Sequence, residues 1–256
     1  MEQAASRDHS SGMAPTHVIV AATSGIGTAL ARRLAAGGAS LTLTGRDSER
    51  LEALATELGA YPVTLDATDF DAVDRTVSDA AARAGRLDGV VNCAGSLRLS
   101  PAHLTRADDF AATIAANLTT AFAVTRAAAR VLGEGGGGSI ALVSSAAART
   151  GLPNHEAIAA AKSGVIGLTL SAAATYAPRN VRVNCVAPGL VRTPLTSRIT
   201  GSPAAEKAST AMHPLGRLGQ ADDVASALAW LVDPENSWVT GQVLGVDGGL
   251  GTVHAR

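Results

Sequence analysis

The chain has 256 residues, 46% hydrophobic and 17% charged, with a formal net charge of -1. That length and apolar content suit one large domain with ample core and exclude a disordered chain. The near-zero charge gives no reason to expect nucleic acid or an anionic membrane as a partner.

The opening MEQAASRDHSSGMAPT lacks the apolar stretch of a signal peptide, and residues 1–15 read as a flexible tail ahead of one domain over 16–256. No apolar run approaches the roughly 20 residues that span a bilayer, so a cytoplasmic location is expected. The first strand is His17 to Ala21, and behind it Ile26, Leu30 and Leu34 make a helical stripe that closes at Gly37 and Gly38. A strand, a glycine-containing turn and a helix form a nucleotide-binding opening, because glycines admit a pyrophosphate and the helix start supplies N–H donors. A tight βα turn with no ligand explains the same residues.

The second strand, Leu41 to Thr44, ends in Gly45-Arg46-Asp47. Past such a strand an acid suits a ribose 2′-hydroxyl and an arginine a 2′-phosphate, so Arg46 favours NADP(H), unless it is only a solvated loop charge. Helix Ser48 to Leu58 leads to a third strand, Pro62 to Leu65, and to Asp66, which could bind an adenine amino group or cap the helix that starts near Asp69. The fourth strand, Gly89 to Val91, runs into Asn92-Cys93-Ala94-Gly95, whose small residues leave room for a flat ligand. Cys93 and Cys185 have no metal-ligand spacing and read as free thiols, and no metal is expected.

Asn117 falls in the middle of a long helical region, where a buried asparagine needs a water, a backbone carbonyl or a kink to satisfy it. The run Gly135 to Gly138 reads as a helix-to-strand turn. A strand at Ile140 to Val143 then ends in Ser144-Ser145, and the next helix carries His155, Ile158 and Lys162 on one face, at spacings of three and four. A serine at a strand end facing a lysine is an active-site arrangement for an open sheet. The middle of that face is an isoleucine, which neither donates nor accepts a proton. After a helix to about Tyr176 and a sixth strand, Val181 to Val186, the segment Pro194 to Gly219 reads as a substrate-covering loop with one or two short helices. A helix, Asp222 to Leu231, and a strand, Gln242 to Val246, complete an α/β fold: one Rossmann-type, doubly wound, mostly parallel sheet of about seven strands.

In order, Ser24-Gly25-Ile26-Gly27, Gly45-Arg46-Asp47, Asp66 to Asp69, Asn92 to Gly95, Asn117, Ser144-Ser145, Lys162, Pro188-Gly189 with Thr193, and Val246 to Gly249 resemble the short-chain dehydrogenase/reductase family, from about Thr16 to Gly251. The resemblance implies that Gly25 and Gly27 approach the pyrophosphate, with Ser24, Ile26, Ala94 and Gly95 beside the cofactor. It also implies that Arg46 binds the 2′-phosphate, Asp66 touches adenine and Asn92 sits under the adenosine ribose. Asn117 would hold a relay water, Ser145 orient a carbonyl, Lys162 hold the nicotinamide ribose and Thr193 meet the carboxamide, beside Pro188 and Gly189.

Two positions depart from the family pattern. Ala21 stands for the first glycine of TGxxxGxG, and costs roughly 1–2 kcal/mol if a left-handed backbone is needed there. Ile158 stands for the tyrosine of YxxxK, the family's general acid/base, whose kind of help is typically worth about 10²–10⁴ in rate. Three readings follow. The first is an NADP(H)-dependent reductase of a C=O or activated C=C in a small, largely apolar metabolite. His155, at the position used by the enoyl-reductase branch, would be its proton donor, or else only a surface histidine. The second is a redox-neutral cyclase, isomerase or dehydratase reusing the cleft. The third is a non-catalytic cofactor-binding subunit. The family implies a homo-oligomer, tetramer or dimer, or a hetero-oligomer with an active homologue.

Overall fold

A computed structural model describes residues 14–253, so most of the expected tail, residues 1–13, lies outside the described part. The chain alternates strands and helices: β1 (Thr16–Val20), α1 (Gly25–Ala36), β2 (Ser40–Gly45), α2 (Ser48–Leu58), β3 (Tyr61–Thr64), α3 (Phe70–Ala84) and β4 (Gly89–Asn92). There follow α4 (Ala107–Ile114), a π-helical turn over Ala115–Thr119, α5 (Thr120–Glu134), β5 (Gly138–Val143), α6 (Glu156–Tyr176) and β6 (Val181–Pro188). Next come β7 (Val191–Arg192), α7 (Ser197–Thr200), α8 (Pro203–Met212), β8 (Gly219–Gln220), α9 (Ala221–Val232) and β9 (Val243–Val246).

Seven strands pair in the order β3-β2-β1-β4-β5-β6-β9, every pair parallel. Strand order reverses between β1 and β4, and that switch point opens a crevice at the carboxyl ends. Both faces are covered, which is why the strands read as unbroken apolar runs. Alternate side chains divide between two cores. Val18, Val20, Val90, Ile140 and Leu142 pack with α3, α5 and α6, whereas Ile19, Val91 and Ala141 pack with α1, α2 and α9. Buried alanines along α5 let it lie close to the sheet.

The helix starts follow from their caps. Ser24 accepts from Gly27 N–H at 3.1 Å, Asp47 from Arg50 N–H at 3.1 Å and Asp69 from Asp71 and Ala72 N–H at 3.0 Å. Asp69 therefore caps α3. Asp66, the other candidate, spends one oxygen on the Thr68 N–H and hydroxyl instead.

Three expectations need correction. His155 is not inside the helix but is its N-cap residue, at φ −107° and ψ 10°. The β1 run stops at Val20, because Ala21 turns to φ 57°. And α6 with its following turn, Glu156–Arg179, spans 24 residues at a mean hydropathy of 1.5, long and apolar enough to cross a membrane by length and composition. Its apolarity has a local cause: Ile158, Val165, Ala172 and Ala173 are buried, and Gly164 passes so close to the π-helical turn that a Cβ there would lie 2.7 Å from Leu118. The covering segment does hold two short helices, α7 and α8, and β7 pairing with β8 closes its base.

Candidate active site

Two cavities meet at the switch point. One, of about 790 Å³, runs from Arg46, Arg50 and Asp66 to Gly25, Ala94 and Gly95. The other, of about 460 Å³, continues from Ser24, Gly25 and Ile26 past Asn117, Ser145, His155 and Ile158 to Lys162, Pro188, Gly189 and Thr193. Ser24, Gly25, Ala94 and Gly95 line both, so the two form one trench across the α1 N-terminus.

The polar end begins at the β1–α1 turn. Ala21 adopts the left-handed backbone that its position imposes, and a Cβ on Gly27 would lie 2.5 Å from the Ala21 carbonyl oxygen. Gly27 thus seats α1 against the turn and is absent from both cavity walls, unlike Gly25. Arg46 is exposed on the cavity rim. Arg50, which sequence reading missed, reaches over from α2 and donates to the Thr23 carbonyl oxygen at 3.0 Å. The Asp66 carboxyl is held below its usual range by the Thr68 N–H and hydroxyl, with Arg46 assisting. Asn92 is buried and also absent from both walls. Its Oδ1 accepts from Ala94 N–H at 3.0 Å and its Nδ2 lies 3.5 Å from Thr120 Oγ1, so it fixes the Ala94–Gly95 turn.

The reactive end is built by β5, α6 and the π-helical turn. The extra residue of that turn frees the Thr113 carbonyl, which accepts from Asn117 Nδ2 at 2.9 Å. Asn117 also donates to Ser96 Oγ at 3.0 Å and accepts from Ser96 N–H at 3.2 Å. The backbone-carbonyl and kink readings of Asn117 therefore hold together. Lys162 is buried, and its Nζ donates to the Val143 carbonyl oxygen at 2.8 Å. A Cβ on Gly95 would lie 3.0 Å from Asn117 Oδ1 and 3.5 Å from Lys162 Nζ, so both side chains converge on that glycine.

Burial lowers the Lys162 pKa to about 8, and burial pushes the nearby Cys93 thiol up to about 12 against the pull of that lysine. Both cysteines are free. The serine pair divides its work. Ser144 is buried and donates to the Lys162 carbonyl oxygen at 2.8 Å, tying β5 to α6. Ser145 faces the cavity with its Oγ accepting from Ala147 N–H at 3.1 Å. Ile158 is 3% exposed and places an alkyl group on the wall one turn before Lys162. His155 stands nearer the mouth, its Nδ1 2.7 Å from the Pro153 carbonyl oxygen. Leucines 97, 99, 152, 190, 195 and 250 complete a wall with no carboxylate and no arginine. Among the described residues, no group of three or more His, Cys, Asp or Glu could hold a metal ion. Arg50 and His213 come from separate elements, and no linear spacing links them to the motifs, whereas Cys93 lies within the Asn92 to Gly95 motif without a role read from it.

A family model described as enoyl-(acyl carrier protein) reductase matches residues 20–251. A 3-oxoacyl-[acyl-carrier-protein] reductase of Thermotoga maritima is 37% identical over 238 residues, which is 91% of this chain and 96% of that protein. A short-chain type dehydrogenase/reductase from Mycobacterium ulcerans superposes with a TM-score of 0.89 at 35% identity, covering 93% of this chain and 90% of that one. A solved structure of ElxO with NADP bound gives a TM-score of 0.87 at 29% identity, over 93% and 99% of the two chains. With the sheet order and the switch-point trench, these matches identify the chain as a member of the short-chain dehydrogenase/reductase family.

Proposed function

We propose that the chain is an NADP(H)-dependent oxidoreductase with a non-standard active site, acting on a C=O or activated C=C of a small, largely apolar metabolite. One observation carries the reading: a single trench joins two guanidinium groups at one end to Ser145, Asn117 and Lys162 in an apolar cavity at the other. A dinucleotide suits this trench, since Gly25 lines both cavities at the α1 N-terminus, and its missing Cβ, which would lie 2.8 Å from Thr193, lets the Thr193 turn come up beside it. Bound there, NADP(H) would supply or accept a hydride.

The chain's own residues would do the rest. Arg46 and Arg50 would hold the 2′-phosphate and Asp66 the adenine. Gly25 and the α1 N–H groups would meet the pyrophosphate, Lys162 the nicotinamide ribose and Thr193 the carboxamide. Ser145 would orient the substrate, and the leucine wall would exclude water. In its doubly protonated form His155 would supply the proton from Nε2–H, with its Nδ1–H held by the Pro153 carbonyl oxygen, and would be left as the neutral ring. Apolar faces on α5 and α6, where Phe122 and Leu170 are about half exposed, support assembly into an oligomer.

Ile158 favours a second reading, in which the same trench serves a redox-neutral reaction or only holds a cofactor for a partner subunit. Titration of the protein with NADPH and NADH, followed by turnover of His155→Ala, separates these. NADPH-selective binding with turnover lost in His155→Ala supports the reductase. Binding without turnover on any ketone or enone favours the subunit, and no binding of either nucleotide favours redox-neutral chemistry.

A further inference from the structure

The imidazole of His213 is 3% exposed and sits at a junction that none of the roles above uses. Its Nδ1 lies 2.6 Å from the carbonyl oxygen of Ser209 in the last turn of α8. Its Nε2 accepts from the backbone N–H of Leu190, just beyond β6, at 3.1 Å. A carbonyl only accepts and an N–H only donates, so Nδ1 carries the proton and Nε2 is bare. Both ring nitrogens are spent, one on each segment.

Neighbouring contacts hold the ring in place. The Leu215 N–H donates to the Gly248 carbonyl oxygen at 3.0 Å, and the Gly216 N–H to the carbonyl of His213 itself at 2.7 Å. A Cβ on Gly189 would lie 2.6 Å from Nε2, so glycine is required for the turn after β6 to rest on the ring. The charged groups nearby are otherwise engaged: Asp247 accepts from the Gly249 and Gly251 N–H groups, and Arg217 pairs with Asp223 at 2.7 Å.

The two segments meet the same apolar cavity from different elements. Ser209 and Met212 of α8 cover the apolar cavity, while Gly189 and Leu190 begin the turn that carries Thr193 across to Gly25. We propose that His213 is a positioning residue that couples the covering helix α8 to this cofactor-side turn, so that neither shifts without the other. Where it concerns NADP(H), the consequence rests on the function proposed above. A ligand that fixes residues 188–193 then also steadies α8 where it lies against the cavity, and by reciprocity whatever steadies α8 there favours that ligand.

Amide hydrogen exchange of the full chain, with and without NADPH, tests the coupling in the wild type and three variants. His213→Phe fills the space and makes neither bond. His213→Asn keeps a donor where Nδ1 stood, and His213→Gln extends an acceptor towards Leu190. In the wild type, NADPH should slow exchange in both 188–193 and 203–212. In His213→Phe both segments should exchange about fivefold faster without nucleotide, the factor for one lost hydrogen bond of ~1 kcal/mol, and NADPH should protect only 188–193. Glutamine should restore the first segment and asparagine the second. Identical patterns for asparagine and glutamine, or NADPH protection of α8 persisting in His213→Phe, would overturn the proposal. If NADPH protects neither segment of the wild type, the cofactor reading fails instead, and the asparagine–glutamine split in the ligand-free chain still decides the coupling.

Discussion

Arg50 Nη2 donates to the carbonyl oxygen of Thr23 across 3.0 Å, carrying a guanidinium from α2 onto the β1–α1 turn, in the cavity that Arg46 also lines. Two arginines there make a better 2′-phosphate site than one, and both are exposed enough for salt to weaken them. Hydrogen bonds to charged groups are worth about 1.5–3 kcal/mol, and solvent screening puts each arginine at the low end. Arg46→Ala and Arg50→Ala should each weaken NADPH binding about tenfold while leaving NADH nearly unchanged. Nicotinamide fluorescence titrations at low salt check this, and equal losses for both nucleotides would remove the phosphate role.

Ala21 takes φ 57° where the family pattern has glycine. The left-handed backbone costs a non-glycine residue roughly 1–2 kcal/mol, and glycine gives back about 0.5–1 kcal/mol in unfolded-chain entropy. Strain wins, so Ala21→Gly should raise stability by up to about 1 kcal/mol. At this chain length that is about 2–4 °C in Tm. A lower urea midpoint for the glycine variant would show that the turn is relaxed as it stands.

What sequence reading recovered and what it missed divide along one physical line. Patterns local in sequence came through: α2 runs over Ser48–Leu58 as expected, α6 ends at Tyr176, and the apolar runs place all seven sheet strands. The cavity face of Ile158 and Lys162 was equally legible, because helical periodicity fixes it, whereas His155 reaches the same cavity from the N-cap position. Residues whose roles depend on distant partners were not. Arg50 matters through Thr23, His213 through Leu190 and Ser209, and Asn92 turned out to hold Ala94. The π-helical turn at Asn117 also leaves no periodic signal, because it inserts a single residue into an otherwise continuous helix.

Two buried bases set the pH dependence of stability. His17 in β1 is held neutral by burial, its pKa lowered to about 4. The unfolded chain takes up that proton near pH 6.5 and the folded chain only near 4. Stability is therefore full above pH 6.5 and falls as pH drops towards 4, by about 3 kcal/mol for a shift of this size. Lys162, lowered to about 8, acts at the other end. Between about pH 8 and 9 the unfolded chain keeps a proton that the folded chain has released, so stability gains as pH rises; above about 9 the Cys93 thiol, pushed up to about 12 in the folded chain, ionises only in the unfolded chain and offsets that gain. Urea unfolding of His17→Leu should lose the acid limb, and Lys162→Met the alkaline gain. Profiles parallel to the wild type in both variants would assign these limbs to other groups.

Ile158 offers the most direct test of the chemistry. It lines the apolar cavity one turn before Lys162, so Ile158→Tyr would add a phenol beside a buried amine. Enlarging a buried side chain costs about 1–3 kcal/mol where no space exists, but this one borders about 460 Å³ of cavity, which puts the cost at the low end. If the trench holds NADPH and a carbonyl in register, the added general acid should raise reduction of a simple uncharged ketone such as cyclohexanone by about 10²–10⁴. Lys162→Met in the same background should abolish the gain, because the phenol would lose its charged neighbour. NADPH binding without any gain would mean that the cavity does not present a carbonyl to the nicotinamide. The isoleucine would then mark a site shaped for a different reaction rather than a reductase lacking one group.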